Sequence, residues 1–484
     1  MHAMSNITLT ASPAAAAPTP QEAAPRHAPR TLALLHAPLL SLLLRLSAPN
    51  MLVMLAQGLT GLIETYWIGH LGTASLAGMA LVFPGFMLMQ MMSAGAMGGG
   101  IASAIARALG AGRRADADAL AVHALAINTL LGLVFTVAGL LAGPTLYRAM
   151  GGEGPALAAA IQYSNVVFGG AVLAWLFNGL ASCIRGTGNM LTPGLVICGG
   201  VVLLIPLSPC LIFGVGPVPA MGVAGGGLAM LLYYFVGGLA MLLYIHGRRS
   251  LLKLRRVPLR LAPLWSILRV GIAASLVTVQ TNLVVTLTTA SVGAYSAASK
   301  GDTYGAAAIA GYGTGSRLEY LLVPLVFGLG SPLVALVGTN LGAGQTARAL
   351  RAAWTGAILA FLLTETIGLA VATFPEAWLR LFDTDPAMLE TGSAYFRAVG
   401  PFYGFFGFGM ALYFASQGAG RMALPLAAAI IRMLVAVIGG WLALRLTGSL
   451  NALFLALGAG LVCLGIGNAL AVAAGTWFRP HTNP

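Results

Sequence analysis

Apolar segments of about 20 residues or more follow one another along this chain, interrupted only by short clusters rich in Gly, Pro, Arg and Asp. An α-helix rises about 1.5 Å per residue, so roughly 20 such residues cross the hydrocarbon core of a bilayer. Read against the breakers, the segments place twelve spans near residues 49–69, 78–106, 118–143, 157–184, 191–214, 221–246, 264–293, 311–340, 349–373, 391–417, 424–446 and 450–476. The charge content agrees, because 58% of the residues are apolar and 8% charged, against about 25% charged in a soluble domain. Too few charges remain to clothe a water-facing surface, which excludes an ordinary cytosolic enzyme. Period-two alternation is absent, so a membrane β-barrel is excluded as well. Many of the 64 Gly and 25 Pro lie within apolar segments and point to helices that pack closely and bend.

The basic residues test this topology. With a cytoplasmic N-terminus, 18 of the 25 Lys and Arg fall on the cytoplasmic side, four (Arg148, Lys300, Arg380 and Arg445) lie opposite, and three (Arg317, Arg397 and Arg432) fall inside spans. That bias obeys the positive-inside rule with both termini cytoplasmic. The net charge of +13 therefore orients the chain against anionic lipid, and nucleic acid is not an expected partner. Residues 1–40 read as a disordered or interfacial tail, with the first span starting after Pro49.

Leu109-Gly110-Ala111-Gly112 recurs as Leu341-Gly342-Ala343-Gly344, and the segment 185–193 recurs as 417–425. Both matches share one offset, since Leu341 follows Leu109 by the same number of positions as Gln417 follows Arg185. A common offset is the mark of a duplication. Six spans per half is an even number, so the halves are parallel repeats related by a pseudo-twofold axis along the membrane normal. The expected architecture is an all-α polytopic membrane protein of twelve transmembrane helices in two six-helix lobes. Its parts are an N-lobe over 41–246, a basic connector over 247–263, a C-lobe over 264–476 and a tail over 477–484. Two lobes enclosing a cleft suit a carrier that works by alternating access.

The segment from Gly61 to Gly72, with Glu64-Thr65-Tyr66 and Gly69, the run Arg185-Gly186-Thr187-Gly188, and Gln417-Gly418-Ala419-Gly420 resemble motifs of the multidrug and toxic compound extrusion (MATE) family, as does Arg317 through Gly344. The resemblance spans roughly residues 40–475. It implies export of amphipathic, often cationic compounds driven by inward flow of protons or sodium, and a monomer in a bacterial inner membrane. Three departures stand out. Glu64 replaces the family's usual Asp, the fifth span reads Leu207-Ser208-Pro209 where an Asp is common, and a Gly/Ser/Ala-rich stretch with Lys300 and Asp302 is expected to lengthen an outer loop.

Of the twelve acids, only Glu64, Glu319 and Glu365 fall inside spans. A charge at bilayer depth costs about 2.5 kcal/mol or more, so such groups face protein or a wet cavity. They are the ion-coupling candidates. Glu64 lies 15 residues past Pro49, about 22 Å along a helix and hence in the outer half of the membrane, where one carboxylate serves proton and passenger in turn. A gate-lining ion pair explains Glu319 equally well. Glu365 suits either an ion site with Gln280 or Asn282, or an interhelical hydrogen bond. Gln57, Tyr163 and Asn178 are expected near an N-lobe cavity, and Phe402, Tyr403 and Phe406 offer ring faces to an organic cation. No cofactor, metal cluster or phosphate-cradling loop is read from the sequence. A proton is preferred over sodium because sodium wants several oxygen ligands. The rival function is a flippase of a lipid-linked saccharide with the same two lobes.

Overall fold

The structure, a computed structural model, describes residues 27–475 and residue 477, with the backbone alone for Gln57, Leu59, Leu62, Tyr320 and Leu321. The expected tails over 1–26 and 478–484 lie outside the described residues. Among the described residues all regular structure is helical. A short helix, Pro29–His36, precedes twelve spans: span 1 Leu39–Gly69, span 2 Thr73–Gly110, span 3 Arg114–Ala149, span 4 Gly154–Gly169 with Ala171–Gly186, span 5 Leu191–Phe213 and span 6 Val223–His246. Span 7 is Leu261–Lys300, span 8 Asp302–Gly342, span 9 Thr346–Thr373, span 10 Pro386–Ala419, span 11 Ala423–Thr447 and span 12 Leu450–Ala473.

The helices turn apolar faces outward. In span 3, Leu130, Leu133, Val134, Val137 and Leu141 are exposed and recur three and four residues apart, a stripe that hydrocarbon solvates and water does not. Where inward faces come closest, glycines such as Gly110, Gly225 and Gly342 stand at the contact and let backbones approach.

The duplication is visible in the backbone. Spans 3 and 9 start at Arg114 and Thr346, spans 5 and 11 at Leu191 and Ala423, and spans 2 and 8 end at Gly110 and Gly342, so each pair keeps the offset of the repeated motifs. The turns after spans 2 and 8 close with the same hydrogen bond, Arg113 N to Ala108 O at 2.9 Å and Gln345 N to Asn340 O at 2.8 Å. They place Gly112 and Gly344 at φ of 73° and 74°, a region that a Cβ disfavours. Contacts between the lobes repeat as well. A Cβ on Gly110 would strike the backbone of Thr339, and one on Gly342 would strike the backbone of Arg107, which is the same contact read in both directions. Two six-span lobes therefore meet about a pseudo-twofold axis.

These close approaches lie at the end of the molecule that carries the connector. There Gly100 packs on Ile267 O, Asn50 donates to Gly328 O at 2.9 Å, and Arg107 donates to Gly418 O at 2.9 Å. The connector itself is strapped to span 3, with Lys253 N donating to Asp118 at 2.7 Å and Arg260 N to His123 Nε2 at 2.9 Å.

Three local features differ from the sequence expectation. Span 1 does not start after Pro49; it runs through it from Leu39. Neighbouring helices re-satisfy backbone groups freed by a proline in a membrane; here the side chain of the next residue, Asn50, donates to Gly328 O of span 8, the carbonyl that Pro332 leaves without its helical donor. The stretch around Lys300 and Asp302 is not a long loop. It extends spans 7 and 8 as helix, joined through the single residue Gly301 at φ 93°. Spans 4 and 10 are each interrupted, by a 47° bend at Gly170 and by a 3-10 turn at Gly400–Phe402, at equivalent places in the two repeats.

Candidate functional site

Thr60, Glu64 and Ile68 recur at four-residue spacing on span 1 and are all buried, so Glu64 points into the N-lobe and Tyr66, 59% exposed, points away. Glu64 is 1% exposed. It borders a small cavity with Met79, Phe83 and Phe86 of span 2, Tyr163 of span 4 and Met230 of span 6. The carboxylate lies against Gly226 of span 6, where a Cβ would stand 2.6 Å from Oε2. Ser208, which occupies the place of the expected acid in span 5, lies beside it and is also fully buried. Among the described residues neither Glu64 oxygen has a hydrogen-bond partner. The cavity contains no basic side chain.

A polar chain runs inward from this cavity. Tyr163 and Tyr234 both lie within electrostatic reach of Glu64. Tyr234 accepts from Gln90 Nε2, Gln90 Oε1 accepts from Asn178 Nδ2 at 3.0 Å, and the same Nδ2 donates to Ser93 at 2.8 Å. Ser93 sits in a π-helical segment of span 2, Met91–Met97, the kind of bulge that marks functional sites in helices. Tyr163 thus lines the Glu64 cavity and Asn178 stands at the far end of the chain, whereas the side chain of Gln57 lies outside the described residues.

The C-lobe builds a different cluster. Glu319 is half-buried and accepts a hydrogen bond from the Tyr395 hydroxyl, to which Tyr403 donates at 3.4 Å. Tyr312 meets Tyr395 edge-on at 5.2 Å. Arg432, 6% exposed, is within electrostatic reach of Glu319, so it faces the C-lobe interior. Tyr395 is the repeat counterpart of Tyr163 at the offset of the duplication. Each lobe therefore sets the same tyrosine near a glutamate contributed from a different position, a signal present in the sequence and overlooked there.

Glu365 and the two amides expected beside it are not brought together. Glu365 Oε2 accepts from Gly404 N at 2.6 Å, an N–H freed where span 10 resumes after its break. Gln280 is buried with both amide atoms lacking a partner, and Asn282 is exposed and bonded to Thr278 O of its own helix. Two residues apart on a helix, they point to opposite faces. Of the span 10 rings, Tyr403 joins the Glu319 cluster, while Phe402 and Phe406 pack within the C-lobe core. The ring that reaches the cleft between the lobes is Phe414, beside Phe327 of span 8.

The MatE family model matches residues 49–210 and again 281–442, two copies displaced by the offset of the internal repeat. The chain belongs to the MatE family. It is 28% identical to a FAD transporter of Shewanella oneidensis over 374 residues, 77% of this chain and 80% of that protein. It is 29% identical to a probable multidrug resistance protein NorM of Thermotoga maritima over 390 residues, 79% of this chain and 81% of the relative. Among solved structures, a MOP superfamily transporter from Pyrococcus furiosus superposes with a TM-score of 0.82 at 25% identity, covering 94% of this chain and all of that one. An outward-facing multidrug resistance MATE transporter superposes at 0.81, with 25% identity and coverage of 93% and 99%. As a MatE protein the chain is a multi-pass membrane transporter.

Proposed function

We propose that this MatE protein is a secondary active exporter of amphipathic organic compounds, exchanging them for protons through alternating access of its two lobes. The connector end, which carries the excess of Lys and Arg, is read as cytoplasmic. The lobes touch at that end, so the described conformation is open to the outside.

The observation that carries the reading is Glu64, enclosed by apolar side chains with neither oxygen hydrogen-bonded among the described residues. A charged carboxylate there has given up water with little more than the Ser208 hydroxyl beside it. Binding a proton removes that penalty, and releasing it toward the polar chain of Tyr234, Gln90 and Asn178 restores it, so loading is tied to conformation. Sodium would need several oxygen ligands, whereas the lining here is dominated by Met and Phe with a single carboxylate.

The test uses purified protein in liposomes loaded with fluorescent amphipathic dyes, one cationic (ethidium) and one anionic (dichlorofluorescein). A pH gradient and, separately, a sodium gradient are imposed on wild type and on Glu64→Gln. Efflux that follows the pH gradient in wild type and loses that dependence in the variant is expected. Movement of neither dye under either gradient overturns the exporter reading, and unchanged coupling in the variant overturns the role of Glu64.

A further inference from the structure

Arg185 ends span 4 and is almost wholly buried, with an exposure of 4%. Its Nε has no hydrogen-bond partner among the described residues, and it takes part in none of the described ion pairs. A guanidinium that has lost its water and gained no counter-charge is costly to keep. Arg185 borders a small cavity between the lobes, distinct from the one at Glu64.

The opposite wall of that cavity holds Gln417, the internal counterpart of Arg185 in the duplication. Gln417 is fully buried, lies directly on Gly99 where no Cβ would fit, and leaves its Oε1 without a partner. Its Nε2 makes long contacts only, 3.4 Å to Ala96 O and 3.5 Å to Gly95 O. The pseudo-twofold axis thus brings two equivalent positions to one space, one kept as a cation and the other as a neutral amide donor. Among the described residues no Asp or Glu lines the cavity. Its remaining wall includes Phe327 and Phe414, edge to face at 5.4 Å.

Resting on the transporter reading, we propose that this cavity binds the carboxylate or phosphate of an amphipathic organic anion. Arg185 and the Gln417 amide hold the charged group, and Phe327 and Phe414 receive the apolar body. A fixed positive charge without a neighbouring acid repels an organic cation and attracts an oxyanion. The passenger class is therefore anionic, in contrast to the cationic class implied by the family resemblance.

Dichlorofluorescein and ethidium binding are measured on full-length protein in nanodiscs of phosphatidylcholine, and again with phosphatidylglycerol added. Efflux of both dyes from proteoliposomes under a pH gradient accompanies each measurement. Arg185→Gln is expected to weaken dichlorofluorescein binding and efflux about tenfold or more, the scale of a lost charge-assisted hydrogen bond, with Arg185→Lys retaining most of it. Gln417→Glu, which keeps the arginine and adds a carboxylate to the same cavity, is expected to abolish anion binding. These two variants keep the proposal testable if Arg185→Gln fails to fold. Competition by phosphatidylglycerol that depends on Arg185, without dye efflux, supports the oxyanion site and makes a lipid headgroup its source. Ethidium efflux that continues while dichlorofluorescein neither binds nor moves, or binds wild type and the variants alike, overturns the anion site and leaves the exporter standing. If neither dye moves and neither binds, both readings fall.

Discussion

Gly226→Ala isolates the contact between span 6 and Glu64. A Cβ there would stand 2.6 Å from Glu64 Oε2 and 3.0 Å from Ile68 Cδ1, both inside the 3.4 Å at which ordinary contact begins and the first much further inside it. The carboxylate must rotate toward the adjoining cavity or spans 1 and 6 must separate. Overpacking of this size costs about 1–3 kcal/mol, and the room beside Glu64 places the expected loss near the lower end. In Glu64→Asp the carboxyl retracts by one methylene, about 1.5 Å, and the collision with Oε2 disappears. The two changes are therefore expected to couple, with Gly226→Ala costing about 1 kcal/mol in wild type and much less beside Glu64→Asp. Denaturant unfolding in mild detergent measures the four corners of the cycle, and proton uptake in liposomes reports whether the displaced carboxyl still exchanges. Additivity of the two changes within about 0.5 kcal/mol, or full proton coupling in Gly226→Ala, would refute the placement of Glu64 against span 6.

Three further outcomes follow from other parts of the fold. Glu365→Ala removes the acceptor of Gly404 N and is expected to cost about 0.5–2 kcal/mol, as loss of a helix cap does, while liposome assays find the coupling ratio unchanged. Tyr395→Phe deletes the donor to Glu319 and is expected to lower stability by about 1–3 kcal/mol in the same unfolding assay, with Tyr395→Trp no better. Gly342→Ala drives a methyl into the Arg107 backbone at the junction of the lobes; spin labels on cysteines introduced at Arg113 and Gln345 should then report a longer mean separation, and an unchanged distance would refute the close contact of Gly342 with Arg107.

Much of the architecture was legible because it rests on local periodicity and repetition. Apolar run length is read residue by residue, and a duplication leaves matching turns such as Gly112 and Gly344, whose positive φ holds both copies to glycine. The breaks in spans 4 and 10 were harder to see, since an apolar run continues through them and only the packed structure shows where the axis bends. Pro49 misled for the opposite reason: its breaking effect is local, whereas the helix around it packs on span 8 of the other lobe, where Asn50 donates to Gly328 O.

At the site, Glu64 was found from the cost of burying an acid, which requires no knowledge of neighbours. Its surroundings were not readable, because Gly226, Ser208 and Tyr163 come from three other helices. Asn282 and Gln280 show the limit clearly, as two amides near in sequence fall on opposite faces of one helix.

The amino-acid order alone established a lipid-embedded, duplicated helical chain, because hydrophobic length and internal repeats are properties of one dimension. Which acid stands without a hydrogen bond, which tyrosine serves which lobe, and that Arg185 and Gln417 share one cavity were decided by the tertiary structure. Each of those facts depends on a distance between segments far apart in sequence, from scores of residues for Tyr395 and Glu319 to a whole repeat for Arg185 and Gln417.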